Sequence, residues 1–180
     1  LLFPAILAPI LNNPILAGAK MSDLEVTTDN GIATFIMNRP DARNALSMDM
    51  RKQLAEALHD AELDDKIRCI VLKGAGDHFM AGGDVKGMGE SIKKPPEEIK
   101  KEFILRIHDL HPIMFAMRRM PKPIIASCRG AAAGAGVSIA LACDLVIAAE
   151  DAFFTLAYCK IGTSPDGSSS FHLPRAVGIK

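Results

Sequence analysis

Strand-like and helix-like patterns of apolar residues alternate along the chain. Two short strand-like runs, 24–28 and 32–38, flank Asp29-Asn30-Gly31, a sequence typical of a hairpin turn. Ser47 precedes apolar residues at helical spacing, which predicts a capped helix. The apolar run 67–73 predicts a buried strand. The first part of the chain is therefore predicted to be a hairpin, a helix and a strand.

The pattern continues in the second half. Glycine, serine, lysines and two prolines at 87–96 predict a mobile loop, and Pro112 is expected to kink the helix that follows. Strands are predicted at 123–127 and 145–149, on either side of a helix over 137–143. The long helix should present an apolar face made of Ile99, Phe103, Ile107, Leu110, Met114 and Met117. Repeated strand–strand–helix units predict an α/β fold with the form of a spiral.

Composition describes a globular protein without a strong charge. The 180 residues are 49% hydrophobic and 23% charged, and 21 basic residues balance 21 acidic ones. This balance gives no global field for nucleic acid or a membrane surface, so an anionic ligand must be held by local groups. One tyrosine and no tryptophan also disfavour an aromatic platform for nucleic acid. We expect neither nucleic acid nor membrane as a partner.

The four cysteines indicate a reducing compartment. Cys69, Cys128, Cys143 and Cys159 are scattered in or near apolar runs, and no two form a CxxC pair. This pattern is typical of reduced, mostly buried thiols rather than of disulfides or metal ligands. Together with histidines that lack metal-ligand spacing, it predicts a cytoplasmic protein without a metal site.

The first twenty residues differ from the rest. Residues 1–19 are apolar and uncharged, with prolines at 4, 9 and 14, and Met21 follows. Proline at these intervals disfavours a spanning helix, and no basic region suggests a signal peptide. We expect 1–20 to be an upstream or artificial extension and 21–180 to be the folded core. A membrane anchor at 1–20 is the alternative.

Two glycine-rich segments are the strongest chemical signal. Gly130, Gly134 and Gly136 lie between a predicted strand and a predicted helix, whose first N–H groups and dipole can stabilise an oxyanion. Alone, such a turn also serves tight packing of a helix on a sheet. A second segment, 78–85, follows another predicted strand. Two such turns can each donate one backbone N–H to a single oxygen, which would form an oxyanion hole.

Four motifs occur in register over 24–180. They are Asn38-Arg39-Pro40 with Asn44-Ala45-Leu46, Phe79-x-Ala81-Gly82-x-Asp84, Gly130-x-x-x-Gly134-Ala135-Gly136 followed by Ala142-Cys143-Asp144-Leu145, and Leu173-Pro174-Arg175. In order and spacing they resemble the crotonase (enoyl-CoA hydratase/isomerase) superfamily. The resemblance implies a crotonase-like spiral that binds acyl-CoA, with a C-terminal helical part missing from this chain. It also implies a homotrimer or hexamer, and no cofactor beyond the coenzyme A of the thioester substrate.

The resemblance also assigns site residues. The oxyanion donors should be the N–H groups of Ala81 and Ala135. Further substrate contacts are expected from Arg43, Ala45, Gly82, Gly83, Asp84, Gly134, Ser138 and Tyr158. Arg43 is a candidate for the coenzyme A phosphates, although an exposed surface charge explains it equally well. Hydratases of the family use two glutamates, and their positions fall at Ser138 and Tyr158. A hydroxyl and a phenol are poor bases near neutral pH, which disfavours hydration.

Asp166 is the candidate base. Its segment, 161–167, resembles the loop in which enoyl-CoA isomerases of the superfamily carry one catalytic carboxylate. One carboxylate is enough to move a proton from C2 to C4 of a 3-enoyl thioester. Ser-Pro-Asp-Gly is also an ordinary β-turn sequence. We therefore expect an enoyl-CoA isomerase; the alternatives are an enoyl-CoA hydratase, an aryl-CoA-processing relative such as a dehalogenase, and a non-catalytic CoA-binding homologue.

Overall fold

A computed structural model describes residues 22–91 and 93–179. Within these ranges the main sheet has five strands: β1 Leu24–Asp29, β2 Ile32–Met37, β3 Cys69–Gly74, β4 Ile124–Cys128 and, beyond a short strand β5 Ala131–Ala133, β6 Leu145–Ala148. Their order is β1-β2-β3-β4-β6. The pair β1–β2 is antiparallel, and the three following pairs are parallel. The expectations for residues 1–20 lie outside the described residues.

Helices connect the parallel strands. They are α1 Met48–Leu63, α2 Val85–Ser91, α3 Pro96–Arg119, α4 Ala135–Ala142 and α5 Ser169–Val177. Two 3₁₀ turns lie at Pro40–Ala42 and Tyr158–Ile161. A second, smaller sheet pairs β5 with β7, Phe153–Thr155, in parallel. The predicted α/β class is confirmed. Of the helices in the described ranges, none combines the length and hydrophobicity that a bilayer span requires.

Local sequence signals position the first elements correctly. Asn30 and Gly31 have φ of 50° and 81°, and Asp29 pairs with Ile32, so the predicted hairpin has a two-residue turn. The Ser47 hydroxyl accepts a hydrogen bond of 3.0 Å from the Met50 N–H, which caps α1. Both predictions are confirmed.

The prediction of a loop at 87–96 is wrong over 87–91, because α2 extends to Ser91. Asp84 explains where this helix begins. Its carboxylate accepts from the Gly87 N–H at 3.2 Å, and its carbonyl accepts from the Met88 N–H at 3.1 Å. The two glycines at 87 and 89 reduce helix propensity, but the cap that Asp84 provides outweighs them.

The core lies between the sheet and the helices α1 and α3. Phe35, Leu54, Ile70 and Ile113 are each at most 2% exposed. The C-terminal half of α3 buries its predicted face, whereas Ile107, on its N-terminal half, is 40% exposed. The N-terminal half of α3 therefore leaves the core, and two of its apolar side chains, Phe103 and Ile107, line a cavity described below.

Gly136 permits the closest approach of α4 to its neighbour. A Cβ at Gly136 would lie 2.3 Å from the Met80 carbonyl oxygen. This clash could be relieved only by a shift of the backbone. We expect Gly136→Ala to lower the free energy of unfolding by about 1–3 kcal/mol, the usual cost of overpacking. Gly89→Ala is the matched control: it is also helical, a Cβ there meets nothing within 4 Å, and it should be neutral or stabilising. Chemical denaturation measures both, and an equal effect of the two changes would contradict the close approach.

Candidate active site

A cavity of about 830 Å³ lies among α2, α3, the 3₁₀ turn at Tyr158–Ile161 and the loop that follows it. This volume is within the usual range for small-molecule sites, roughly 300–1,000 Å³. Its wall contains seven of the residues selected from the sequence: Ala81, Gly82, Gly83, Gly134, Ala135, Tyr158 and Asp166. In the described part of the chain, no three His, Cys, Asp or Glu side chains lie close enough to hold a metal ion.

The two glycine-rich turns lie side by side at this cavity. Met80 N–H donates to the Ala131 carbonyl at 3.0 Å, and Ala133 N–H donates to the Met80 carbonyl at 2.9 Å. Gly82 has a φ of +101°, and a Cβ there would lie 3.0 Å from the Ala133 oxygen and 3.8 Å from the Ala135 nitrogen. A glycine is therefore needed at 82, both for its conformation and for this close approach.

The backbone N–H groups at these turns differ in whether they are already bonded. Ala81 N–H donates to the Arg43 carbonyl at 2.9 Å, so it is not available to a ligand, contrary to the expectation for this residue. Gly83 N–H and Ala135 N–H have no hydrogen-bond partner among the described residues. Ala135 is the first residue of α4, where a helix leaves its N–H groups without intrahelical partners. Both residues line the cavity.

A hydrogen-bonded cluster connects Ser138, Tyr158 and Asp166. The Tyr158 hydroxyl donates to Oδ1 of Asp166 at 2.7 Å. Ser138 Oγ lies 3.0 Å from the Tyr158 hydroxyl and donates to the main-chain carbonyl of Asp166 at 3.0 Å. Ser138 and Tyr158 are therefore in direct contact, and both bond to Asp166.

Burial keeps the Tyr158 hydroxyl of this cluster protonated. Ser138 is fully buried, Tyr158 is 8% exposed and Asp166 is half-buried. Loss of hydration raises the pKa of Tyr158 to about 12, and the hydrogen bond to the Asp166 carboxylate acts in the same direction. The phenol therefore stays protonated at neutral pH and keeps its role as donor to Asp166. It cannot replace a carboxylate as a base.

Four predicted residues lie off the cavity wall: Ser138, described above, and Arg43, Ala45 and Asp84. Arg43 is exposed, with a φ of 50°. Asp84 forms an ion pair of 3.0 Å with Arg39, and the Ala45 carbonyl accepts from the same guanidinium at 2.6 Å. Although partial burial acts the other way, hydrogen bonds from Gly87 and Arg39 hold the pKa of Asp84 below its usual value. In this structure, Asp84 and Ala45 hold the loop that contains Arg39, and Asp84 also holds the start of α2.

The sequence reading missed Arg51, a buried cation at the cavity. Arg51 belongs to α1, is 5% exposed and lines the cavity together with Arg106. Its Nη1 donates to the Arg106 main-chain carbonyl. A signal was present, because Arg51 precedes Leu54 by three residues and Leu58 by seven, which places it on the buried face of the helix.

Known proteins of similar sequence and structure match most of the chain. Residues 27–180 match the family model described as enoyl-CoA hydratase/isomerase. The chain is 38% identical to a 1,2-epoxyphenylacetyl-CoA isomerase of Escherichia coli, over 83% of this chain and 56% of that protein. It is also 38% identical to a 4-chlorobenzoyl coenzyme A dehalogenase of Arthrobacter, over 87% of this chain and 56% of that one.

A solved structure gives the same result. The crystal structure of an enoyl-CoA hydratase from a Polaromonas species superposes with a TM-score of 0.77 at 38% identity, covering 86% of this chain and 58% of that one. The chain thus spans little more than half the length of these relatives. The family match, the identities and the superposition agree with the predicted fold, and the chain belongs to the enoyl-CoA hydratase/isomerase family, with its crotonase-like α/β fold.

Proposed function

We propose that this protein shifts a carbon–carbon double bond in an enoyl-CoA thioester and that Asp166 is the base. The observation that carries the proposal is the position of Asp166. It is the carboxylate on the wall of the cavity that also contains the unbonded N–H groups of Gly83 and Ala135. A base and two convergent donors are the parts that enolate chemistry requires.

The donors we propose are Gly83 and Ala135, in place of Ala81. Gly83 pairs with Leu46 as an isolated parallel bridge, and Leu46 N–H bonds to the Gly82 carbonyl at 2.8 Å. In a parallel bridge, one residue bonds to the two neighbours of its partner, and the partner directs its own N–H away. Here Leu46 forms the bonds, so Gly83 is the residue whose N–H points away. This pattern supports a Gly83 N–H directed to the side on which α4 begins, where the Ala135 N–H is also unbonded. Both would then donate to the thioester oxygen.

One carboxylate can carry out the whole reaction. The Asp166 carboxylate takes a proton from C2 of a 3-enoyl thioester, and the C–H electron pair forms a dienolate whose negative charge lies on the thioester oxygen. Gly83 and Ala135 stabilise that charge through their N–H groups. Protonation at C4 by the Asp166 carboxylic acid moves the double bond to C2–C3 and regenerates the carboxylate. Tyr158, bonded to Oδ1, fixes the orientation of the carboxyl group throughout.

Hydration is the less suitable reaction for this cavity. It requires one group to activate water and another to protonate C2. By the family resemblance, the two hydratase glutamates fall at Ser138 and Tyr158. The raised pKa of Tyr158 makes it a weaker acid than free tyrosine. Asp166 could also attack an aryl thioester as a nucleophile, and the 38% identity to a 4-chlorobenzoyl coenzyme A dehalogenase favours this as the second candidate.

A screen of three thioester classes tests the proposal. The purified protein is incubated with 3-enoyl-CoA, 2-enoyl-CoA and 4-chlorobenzoyl-CoA, and products are identified by chromatography and mass spectrometry. We expect conversion of the 3-enoyl to the 2-enoyl thioester as the fastest reaction. Release of chloride as the fastest reaction would replace the proposal with the nucleophilic alternative. Acyl-CoA binding without any turnover would indicate a non-catalytic homologue.

A further inference from the structure

The environment of Arg51 is unusual for a buried cation. The side chain is 5% exposed, and its one hydrogen bond to a described residue runs from Nη1 to a neutral main-chain carbonyl, that of Arg106. Its Nε is fully buried without a hydrogen-bond partner in the described structure. Buried charges are normally paired, because removing an ion from water without compensation is costly. Arg51 therefore lacks the counter-ion that its burial requires.

Asp166 does not supply that counter-ion as a direct partner. Its carboxylate bonds to Tyr158 at 2.7 Å, and no ion pair within 4.0 Å connects it to Arg51 in the described structure. Burial lowers the pKa of Arg51, and the more distant charge of Asp166 only opposes this effect. The charge of Asp109 also raises the pKa of Arg51, whereas the positive charge of Arg106 lowers it.

The cavity as a whole carries excess positive charge. Arg51, Arg106 and Lys160 line it, and Asp166 is the one acidic residue on its wall in the described part of the chain. Arg51 and Asp166 line the same cavity, so a ligand group bound by Arg51 lies in the same cavity as the part of the ligand beside Asp166. For a thioester whose C2 and C4 meet Asp166, that part is the acyl chain, not the nucleotide of coenzyme A.

We propose that the acyl group of the substrate ends in a carboxylate and that Arg51 binds it. This inference rests on the proposed function and specifies its substrate class: a short ω-carboxy enoyl-CoA rather than a simple fatty enoyl-CoA. A planar guanidinium is suited to two parallel hydrogen bonds with a carboxylate. The substrate itself then provides the missing counter-ion, and Phe103 and Ile107 on the wall of the same cavity offer apolar contacts to the acyl chain.

The test compares two thioesters of equal chain length, a 3-enoyl-CoA ending in a methyl group and one ending in a carboxylate. Isomerisation kcat/KM is measured for the unaltered protein, for Arg51→Met and for Arg51→Lys. We expect the unaltered protein to prefer the carboxylate substrate by roughly tenfold to a hundredfold, the usual worth of a charge-assisted hydrogen bond. Arg51→Met should remove this preference mainly through KM for the carboxylate substrate, and Arg51→Lys should keep part of it.

Arg68→Met is the matched control. Arg68 also donates to a main-chain carbonyl, that of Asn30 at 3.0 Å, but it lies at the hairpin and not on the cavity wall. Its substitution should leave the preference unchanged. An unaltered protein without preference, or a preference that survives Arg51→Met, would overturn the inference. A loss of turnover on both substrates to the same extent would show that Arg51 positions Asp166 instead, which would also overturn it.

Binding separates this inference from the proposed function. Saturated acyl-CoA analogues with either a methyl or a carboxylate end are titrated by calorimetry, which requires no turnover. Arg51-dependent selectivity for the carboxylate analogue in a protein that does not isomerise would reject the proposed function and retain the inference. Isomerisation that depends on Asp166, without selectivity in either assay, would do the reverse.

Discussion

Asp166→Asn is expected to reduce enoyl-CoA isomerisation by roughly 10²–10⁴-fold, the range that a positioned acid–base group contributes. Asparagine has the size of aspartate and keeps an oxygen to accept the bond from Tyr158, but it cannot take a proton. The main-chain carbonyl of residue 166 still accepts from Ser138, so the loop should keep its position. Acyl-CoA binding should therefore remain nearly unchanged while kcat falls.

Asp151→Asn provides the control for this substitution. Asp151 is exposed and does not line the cavity. Steady-state kinetics and calorimetric titration with a saturated acyl-CoA, run on all three proteins, separate turnover from binding. Isomerase activity in Asp166→Asn within a few-fold of that of the unaltered protein would contradict the assignment of the base. A parallel loss of binding and thermal stability would mean that the residue holds the loop instead.

Ala135→Pro is expected to lower kcat by roughly 10²–10³-fold, as does the loss of one oxyanion-hole donor in other enzymes. Ala135 is the first residue of α4, where proline is favoured because its missing N–H has no intrahelical partner. Among the described residues, nothing accepts the hydrogen bond of this N–H. The substitution should therefore affect the thioester oxygen far more than it affects folding. Kinetics beside thermal denaturation provide the measurement.

Met48→Pro is a matched control, since Met48 is the first residue of α1, is 41% exposed and lies off the cavity wall. Both proline variants should fold, and Met48→Pro alone should retain full turnover. Normal kcat in a folded Ala135→Pro variant would mean that Ala135 is not a donor. Unfolding of Ala135→Pro alone would instead show that the unusual backbone at Gly134, with φ 49° and ψ −118°, does not accept a following proline.

Signals that act within a few residues were sufficient for much of the fold. The turn at Asn30-Gly31 and the cap at Ser47 depend on local conformation, and both occur where the sequence predicts them. The loop predicted at 87–96 was wrong over 87–91, because the cap that Asp84 provides outweighs the low helix propensity of the two glycines. Here one local signal competed with another, and the hydrogen bonds of Asp84 decided the outcome.

The site was harder to predict because it depends on contacts between distant segments. The sequence predicts that the two glycine-rich turns lie together. It could not show that Ala81 N–H is bonded to the Arg43 carbonyl, because that bond joins two loops. The polar cluster around Asp166 likewise joins α4 to the loop at 162–168. Arg51 was overlooked since a charge on a helix is usually solvated, and only the packing of α1 against α3 buries this one.

The balance between isomerisation and water addition tests the central claim most directly. The protein is incubated with 3-enoyl-CoA in water enriched in a heavy oxygen isotope, and the products are followed by mass spectrometry. A single base without a second carboxylate predicts that 2-enoyl-CoA forms faster than heavy oxygen enters any product, and that Asp166→Asn stops its formation. Heavy oxygen appearing in a 3-hydroxyacyl product as fast as the double bond moves would contradict the account.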